Sequence, residues 1–229
     1  HILFYIVKDD DISREFLNRL KKKAQAGIEV RILVDWVGNK VSKRMKVDLK
    51  RSGVQFFECH IPRFPYFFYT LNARNHRKIS VIDGKIGYLG GYNVGKEYIG
   101  NDPKFGFWRD YHLKIEGQGV HDLQKQFLYD WKDTTNIDLI HQPIYFPTPF
   151  EGQSFMKLVP TDGAYLQSHF LELVTRAKKE IMIGSPYFIP GSKLFNAILS
   201  ALQRGIKVTI LLPQKADHLF VKEAAFPYF

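Results

Sequence analysis

The sequence has little cysteine, no long apolar run and few acidic residues relative to basic ones. Cys59 is the single cysteine among 229 residues, which excludes an internal disulfide and a multi-cysteine zinc site. No apolar run approaches the roughly 20 residues that a helix needs to cross a bilayer. Negative charge is also scarce, since 23 Asp and Glu accompany 33 Lys and Arg, for a net charge of +10. This excess favours partners that carry phosphate, such as nucleic acid, an anionic membrane or a phosphate-bearing substrate, with charge for solubility alone as the alternative.

The first 36 residues have the pattern of a parallel β-α-β unit. Residues 1–7 predict a strand, a helix N-cap follows at Asp10 or Asp11, and apolar residues then recur at helical spacing until Gly27. The stretch "VRILVDW" at residues 30–36 predicts a second buried strand. A strand, a helix and a strand in this order are typical of a parallel α/β sheet.

A similar unit returns near the C-terminus, beginning with "EIMIGSPYFIP" at residues 180–190. The stretch "GIEVRILV" starts at residue 27 and "GIKVTILL" at residue 205, an offset of 178 residues that predicts two copies of one α/β lobe. Similar hydrophobic patterning without duplication is the alternative. The Pro-rich stretch at 141–152 is the expected boundary, so that residues 1–150 form a first lobe and residues 151–229 an incomplete second one.

One segment combines several residues that phosphate chemistry uses. It reads "NHRKISVIDGKIGYLGGYN" and occupies residues 75–93. Its Asp-Gly pair predicts a hairpin with the turn at Asp83 and Gly84. His76 and Lys78 would then project from the same face of a strand, which brings an imidazole and an ammonium into one small volume.

The chemistry of these residue types points to attack on phosphorus. A neutral imidazole at His76 is a nucleophile that needs no separate base, and Lys78 offers a compact positive charge to phosphate oxygens. Gly90 and Gly91 permit close approach of a ligand or of another backbone segment, and Asn93 can donate to an oxygen. Taken singly, each feature has an ordinary explanation, such as a structural His or a backbone bend. We predict no metal site and no cofactor.

The combined spacing is more specific than its parts. It reads His-x-Lys, four residues, Asp, six residues, Gly-Gly, one residue, Asn, and it resembles the HKD motif of the phospholipase D superfamily. The stretches "NARNHRK", "FGFWRDYHLKIEG", "FLYDWK", "SPYFIP" and "LLPQKADH" are similar to bacterial cardiolipin synthases of the two-motif type, over essentially the whole chain. The resemblance implies an α/β fold, with a phospholipase D-like lobe of mixed sheet flanked by helices and the beginning of a second, pseudo-symmetric lobe.

The resemblance also implies roles for the motif residues. One His of two motifs attacks the phosphodiester to form a phosphohistidine, and the other protonates the leaving alcohol. Carried over, His76 is the nucleophile or its acid–base counterpart, with the nucleophile favoured. Lys78, Gly91 and Asn93 would bind the substrate phosphate, and Asp83 would support the catalytic group.

The full motif occurs once in this sequence, at residues 76–83. We therefore expect a chain truncated before its second motif, whose missing half-site comes from a further segment or from a second copy. A homodimer is accordingly among the expected partners, and inactivity of this chain alone is an expected outcome. Asp110 and His112, two apart on a predicted strand, are candidate supporting residues, with a purely structural role as the alternative.

The favoured function is a cardiolipin synthase that transfers a phosphatidyl group between phosphatidylglycerol molecules. Anionic phospholipid and a membrane surface are expected partners, and nucleic acid is not; the resemblance implies the bacterial cell membrane, with the active lobe on the cytoplasmic side. The aromatic stretch at residues 62–72 suits a membrane-facing entrance, with core packing as the alternative. Two other functions stay open: a phospholipase D-type hydrolase or nuclease, and a non-catalytic module that binds anionic lipid or nucleic acid.

Overall fold

The structure is a computed structural model that describes residues 1–161, 165–214 and 221–228. The chain forms two compact units, His1–Leu158 and Val159–Phe229. The strands of the first unit are β1 (Ile2–Phe4), β2 (Arg31–Asp35), β3 (Gln55–Cys59), β4 (Ile79–Ile82), β5 (Ile86–Gly90) and β6 (His112–Glu116). Its helices are α1 (Asp11–Gln25), α2 (Lys43–Arg51), α3 (Phe67–Leu71) and α4 (Gly119–Thr135), with short 3-10 turns at Lys96–Ile99 and Pro143–Tyr145.

The six strands form one mixed sheet in the order β3-β2-β1-β4-β5-β6. Strands β1, β2 and β3 are parallel to one another, whereas β4, β5 and β6 are each antiparallel to the preceding neighbour in the sheet. Consequently β1, β2, β3 and β5 finish at the same end of the sheet at which β4 and β6 begin. We call this the motif end of the sheet, and the other the opposite end.

Helices cover both faces of this sheet. On one face, Leu17 of α1 and Leu49 of α2 pack with strand residues that include Ile32. On the other face, Trp131 of α4 packs in a cluster with Leu33, the next residue along β2. Successive strand residues thus point to alternate helical layers, as the pleat requires. The predicted α/β architecture, a mixed sheet flanked by helices, is confirmed.

The predicted hairpin turn is present. Asp83 and Gly84 have φ angles of 54° and 64°, the conformation of a type I′ turn, which Asp-Gly favours. A side chain at position 84 would also collide with the segment that contains Tyr145 and Pro147, since its Cβ would lie 2.5 Å from the Pro147 Cδ. Two independent constraints therefore select glycine at this position.

The predicted strand before this turn is too long. We expected His76 and Lys78 within the strand, but β4 begins at Ile79, and both residues lie in the irregular segment before it. The ladder explains the difference, because Ile79 pairs with Leu3 near the end of the short strand β1. The residues before Ile79 have no strand residue left to pair with, and side-chain hydrogen bonds hold them instead.

The second unit begins with its own β-α-β arrangement. It contains α5 (Leu166–Arg176), β7 (Glu180–Gly184), α6 (Gly191–Gln203), β8 (Lys207–Leu211) and α7 (Val221–Ala225), and β7 and β8 are parallel. Gly27 after α1 and Gly205 after α6 have φ angles of 85° and 80°, so both helices end with the same left-handed glycine. Duplication of one lobe stays a prediction, and residues 215–218 of "LLPQKADH" lie outside the described residues. No helix within the described ranges is long and apolar enough to cross a bilayer.

Candidate active site

The sheet topology gathers polar side chains from distant parts of the first unit at its motif end. Each lies where a strand finishes or begins, which is where loops are free to carry functional groups. These residues are Tyr5 after β1, Asp35 at the end of β2, His76 and Lys78 before β4, Asn93 after β5, and Asp110 before β6.

His76 and Lys78 are in direct contact. The Lys78 Nζ lies 2.9 Å from the Nδ1 and 3.4 Å from the Nε2 of His76, and it donates to the His76 carbonyl oxygen at 2.6 Å. His76 is exposed, whereas Lys78 is buried, with only 3% of the residue exposed. The structure therefore brings these two predicted residues together, with an ammonium fixed against the edge of the imidazole.

Within the part of the chain that the structure describes, the charge of this ammonium is not balanced by an ion pair. Among the described residues, no carboxylate oxygen lies within the 4.0 Å of the Lys78 Nζ that would define one. Burial lowers the pKa of Lys78 to about 8, and nearby Asp110 opposes this shift. Burial also lowers the pKa of His76, the Lys78 charge lowers it further, and Asp35 opposes both. Near neutral pH the pair is therefore a neutral imidazole beside a cation.

Tyr5 contacts both members of this pair. Its ring centroid lies 4.5 Å from that of His76 at an interplanar angle of 44°, and the Lys78 Nζ lies 5.4 Å from the centre of the Tyr5 ring. Such contacts hold an imidazole in one orientation and stabilise a partly desolvated cation. Tyr5 was not predicted as a site residue, because in sequence it is one of several apolar residues within the predicted strand at residues 1–7.

A buried carboxylate holds the backbone just before His76. Asp35 is fully buried, and its two oxygens accept from the Arg74 guanidinium at 3.0 Å and from the Asn75 backbone N–H at 2.9 Å. Arg74 also donates to the carbonyls of His60 at 2.6 Å and Thr70 at 2.8 Å. Asp35 and Arg74 were not predicted as site residues, although an Asp within the buried strand "VRILVDW" was a signal for the first of them.

Asn93 joins the segments that follow β1 and β5. Its Oδ1 accepts from the Ile6 backbone N–H at 3.0 Å, and the neighbouring Val94 N–H donates to the Ile6 carbonyl at 3.1 Å. Since the oxygen of the Asn93 amide is engaged with Ile6, its NH2 group is the part that can donate to a phosphate.

The glycine pair makes room for a neighbouring backbone segment. A Cβ on Gly91 would collide with the Asp110 carboxylate, and one on Gly90 would collide with the carbonyl of Tyr111 and the ring of His112. The Gly91 N–H donates to the Tyr111 carbonyl at 2.9 Å. The glycine pair was expected to permit close approach of either a ligand or another backbone segment, and the observed packing shows the backbone segment. Phosphate binding by Gly91 stays a prediction.

Asp110 and His112 lie on that approaching segment. The Asp110 carboxylate opposes the lowering of the pKa by burial at both Lys78 and His112. His112 and Lys114 repeat the His-x-Lys spacing, but Gly119 occupies the position at which the motif requires Asp. The Lys114 ammonium also forms an ion pair with Glu116 at 2.8 Å. Asp110 thus acts electrostatically on Lys78, and the 112–114 pattern is not a second full motif.

Asp83 is not brought to the pair. It lies in the turn at the opposite end of the sheet, five residues beyond Lys78 and so roughly 16 Å away along the strand direction. Any support that it gives to His76 must therefore act through the hairpin. Within the described ranges, no group of three or more His, Cys, Asp or Glu is arranged to hold a metal ion.

Sequence comparison with known proteins gives one consistent result. The family described as "Cardiolipin synthase, PLD-like domain" matches residues 1–131 and 170–228. The minor cardiolipin synthase ClsB of Bacillus subtilis (strain 168) is 43% identical over 100% of this chain. Cardiolipin synthases of Halalkalibacterium halodurans and Staphylococcus aureus (strain Mu50) are 41% and 40% identical over 100% and 96% of it. The chain spans about half the length of these relatives, namely 57%, 47% and 46%.

Solved structures with the same fold are more distant in sequence. Phosphatidylserine synthase of Haemophilus influenzae Rd KW20 matches 92% of this chain and 55% of its own, with a TM-score of 0.63 and 18% identity. Polyphosphate kinase of Porphyromonas gingivalis matches 93% of this chain and 30% of its own, with a TM-score of 0.56 and 14% identity. At such identities the likeness concerns the fold alone.

Proposed function

We propose, since this chain belongs to the cardiolipin synthase family of PLD-like domains, that its first unit supplies one half of a phosphatidyltransferase active site. The proposed reaction converts two phosphatidylglycerol molecules into cardiolipin and glycerol. The observation that carries this proposal is the Lys78 ammonium, which is buried, lacks an ion pair among the described residues and lies 2.9 Å from a ring nitrogen of His76.

In the first proposed step, a ring nitrogen of His76 attacks the phosphorus of one phosphatidylglycerol. A P–N bond forms, the P–O bond to the glycerol headgroup breaks, and the departing oxygen takes a proton from a general acid. Lys78 compensates the negative charge on the phosphate oxygens, as does the NH2 group of Asn93. Tyr5 keeps the imidazole in position for the attack, with its ring 4.5 Å from that of His76.

In the second proposed step, a hydroxyl of another phosphatidylglycerol attacks the phosphohistidine. The P–N bond breaks, a P–O bond forms, and the hydroxyl proton passes to the group that acted as the acid before. Because this sequence contains the full motif once, we propose that this group belongs to a further segment of the full-length protein or to a second copy of the chain. A homodimer is one such arrangement and stays a prediction.

The proposed partner is anionic phospholipid at the bacterial cell membrane, with the active lobe on the cytoplasmic side. Three features support this: the net charge of +10, the phosphate chemistry of the His76–Lys78 pair, and the names of the bacterial relatives. Asp83 is proposed to act indirectly, by fixing the hairpin whose first strand, β4, directly follows Lys78.

Product analysis with the full-length protein tests the proposal. Phosphatidylglycerol in detergent should yield cardiolipin and glycerol in equal amounts, and His76→Ala should abolish this turnover. His141→Ala is the matched control, because His141 is an exposed histidine of the same unit, four residues before Tyr145, which accepts from Arg31 at the opposite end. Phosphatidic acid or cleaved DNA in place of cardiolipin would establish a hydrolase or nuclease. Cardiolipin formation that survives His76→Ala would contradict the assigned site.

A further inference from the structure

The aromatic loop, residues 62–72, exposes a cluster of large side chains. Phe64, Phe68 and Tyr69 are 93%, 82% and 87% exposed, so the expected alternative of core packing is wrong for them. Single exposed hydrophobic residues are common and need no explanation, but three side chains within six positions form a patch. Together they present roughly 500 Å² of aromatic surface, which is near the upper range for a monomeric protein.

Polar contacts at the base of the loop fix its shape without burying these rings. The Thr70 Oγ1 accepts from the Arg63 N–H at 3.0 Å and donates to the Tyr66 carbonyl at 2.9 Å. Arg74 ties the two ends of the loop together, since it donates to the carbonyls of both His60 and Thr70. Hydrogen bonds at its base therefore fix the loop while its rings remain exposed to solvent. This arrangement is typical of a surface that contacts a partner.

The loop is attached directly to the candidate active site. It begins after β3 finishes at the motif end and leads into Asn75 and His76. The Arg74 guanidinium that holds its two ends also donates to Asp35, the same carboxylate that accepts from the Asn75 N–H. The base of the loop is therefore fixed beside the segment that carries His76 and Lys78.

The surroundings of the loop are positively charged. Arg63 lies within it and is exposed, and Lys40, Lys43 and Arg44 are exposed just before and at the start of α2. The segment that carries these three residues lies beside the base of the loop, since Asn39 and Lys46 bind Glu58 of β3 at 2.7 and 3.0 Å. Exposed aromatic rings flanked by cations match the apolar interior and negative headgroups of an anionic bilayer.

A second loop at the same end of the sheet has a related composition. It follows β5, and its Phe107 and Tyr111 are 86% and 70% exposed. Lys104 of this loop lies 4.9 Å from the centre of the Phe105 ring. Exposed rings thus border the site on both sides, and Phe150, whose carbonyl lies beside Gly117, offers an exposed ring at the opposite end for comparison.

We infer that the aromatic loop is the part of this unit that enters the lipid surface, with Phe64, Phe68 and Tyr69 in the headgroup region. The basic segment of Lys40, Lys43 and Arg44 then lies against anionic headgroups. This inference rests on the proposed function, because it assigns to the phospholipid-processing site the surface from which it takes its substrate. Contact of the loop with the bilayer keeps the diester of a membrane lipid within reach of His76.

A fluorophore that senses lipid depth tests this directly. Phe68→Cys and the control Phe150→Cys are labelled in the full-length protein; Cys59 does not compete, because burial raises the pKa of its thiol to about 12. On addition of phosphatidylglycerol-containing vesicles, the label at 68 should shift to the blue and be quenched by spin-labelled lipid, whereas the label at 150 should not. A label at 68 that is unresponsive to vesicles, or already shifted without them because protein covers it, would overturn the inference.

Activity on two physical forms of the substrate gives an independent readout. The triple variant Phe64→Ser, Phe68→Ser, Tyr69→Ser should lose at least about tenfold in turnover of vesicle phosphatidylglycerol, and little on a short-chain, monomerically dispersed form. Equal loss on both forms, or no loss on either, would contradict a role in lipid contact. Should the unmodified protein make no cardiolipin at all, the proposed function fails, while the depth measurement still decides whether the loop meets lipid.

Discussion

Two buried cations lie at opposite ends of the same sheet and differ in how their charge is balanced. Arg31, at the opposite end, is 6% exposed and forms an ion pair with both oxygens of Glu29. It also donates to the Tyr145 hydroxyl at 3.0 Å and lies 5.5 Å from the centre of the Trp131 ring. Lys78, at the motif end, is 3% exposed, and the close contacts of its ammonium with the described residues are to neutral groups of His76 and Tyr5.

The difference separates a structural cation from one available to a ligand. A buried charge without a counter-charge destabilises a folded protein, and Lys78 shows this through its lowered pKa. Arg31 avoids this destabilisation because Glu29 and the surrounding aromatic rings compensate its charge. The fold therefore retains at the motif end a positive charge that a bound phosphate would balance.

The largest expected effect is the loss of activity in Lys78→Met. Removal of a positioned cation from a site of charge transfer should lower kcat/KM about 10²–10³-fold. Stability should not fall, because an uncompensated buried charge disappears together with it. The paired measurements are kcat/KM and urea unfolding of the full-length protein. Activity within tenfold of the unmodified protein would contradict the distinction between the two cations.

The second expected effect is an alkaline loss of activity. Since the pKa of Lys78 is lowered to about 8, kcat/KM should fall above this pH and reach about 1% of its maximum near pH 10. The free energy of unfolding should instead rise between about pH 8 and 10.4. In this range Lys78 keeps its proton in the unfolded protein but has lost it in the folded protein.

Lys78→Arg is the control for this pH profile. Its guanidinium stays charged throughout the accessible range, so the alkaline limb should disappear even if the maximal rate is lower. An unchanged alkaline limb in Lys78→Arg would assign the titration to another group.

The third expected effect concerns stability at the opposite end of the sheet. Arg31→Met should lower the free energy of unfolding by about 1–3 kcal/mol, a range that allows for the partial exposure of Glu29. Activity per folded molecule should be retained. Arg19→Met is the control, because Arg19 and Glu15 form an exposed helical pair, for which less than about 0.5 kcal/mol is expected. A selective loss of activity in Arg31→Met would remove the contrast with Lys78.

A fourth, smaller effect is expected at Arg74, which is a balanced cation at the motif end. Arg74→Met should lower kcat about tenfold with little change in KM for dispersed substrate. The backbone before His76 would be held less firmly, whereas the residues proposed to bind the phosphate would remain. Arg74→Lys should restore part of the rate. An increase in KM alone would show that Arg74 binds substrate rather than positioning His76.

The smallest effect is expected at Asp83, in the turn at the opposite end. Asp83→Asn should leave kcat/KM within about threefold, because Asn adopts the left-handed conformation nearly as well as Asp. A loss as large as that of Lys78→Met would show that the carboxylate itself is required, contrary to its distance from His76.

Local patterns in the sequence predicted the parts of the fold that depend on neighbouring residues. Periodicity predicted the β-α-β unit up to Asp35, and turn chemistry predicted the hairpin turn at Asp83 and Gly84. The proximity of His76 and Lys78 was also predicted, but from a strand that does not extend to these residues. The start of β4 was misplaced because it depends on where its partner β1 ends, which the segment itself does not encode.

The remainder of the site depends on chain topology. Tyr5 and Asp35 are distant in sequence from His76, and they meet it only because β1, β2 and β4 share one end of the sheet. The strand-helix-strand pattern of the first 36 residues predicted parallel strands but not their order in the sheet, and without that order the neighbours of His76 could not be derived. Arg74 was visible as part of the "NARNHRK" stretch, but its link to Asp35 was not.

Chemical trapping of the intermediate tests the central claim most directly, namely that the His76 ring beside the Lys78 ammonium attacks the phosphorus. Full-length protein is mixed with phosphatidylglycerol, quenched in denaturant at alkaline pH, where phosphohistidine survives, and digested for mass spectrometry. A phosphatidyl adduct should appear on the peptide that contains His76, and it should be absent in His76→Asn. An adduct on another histidine, while His76 stays unmodified during cardiolipin synthesis, would contradict the assignment.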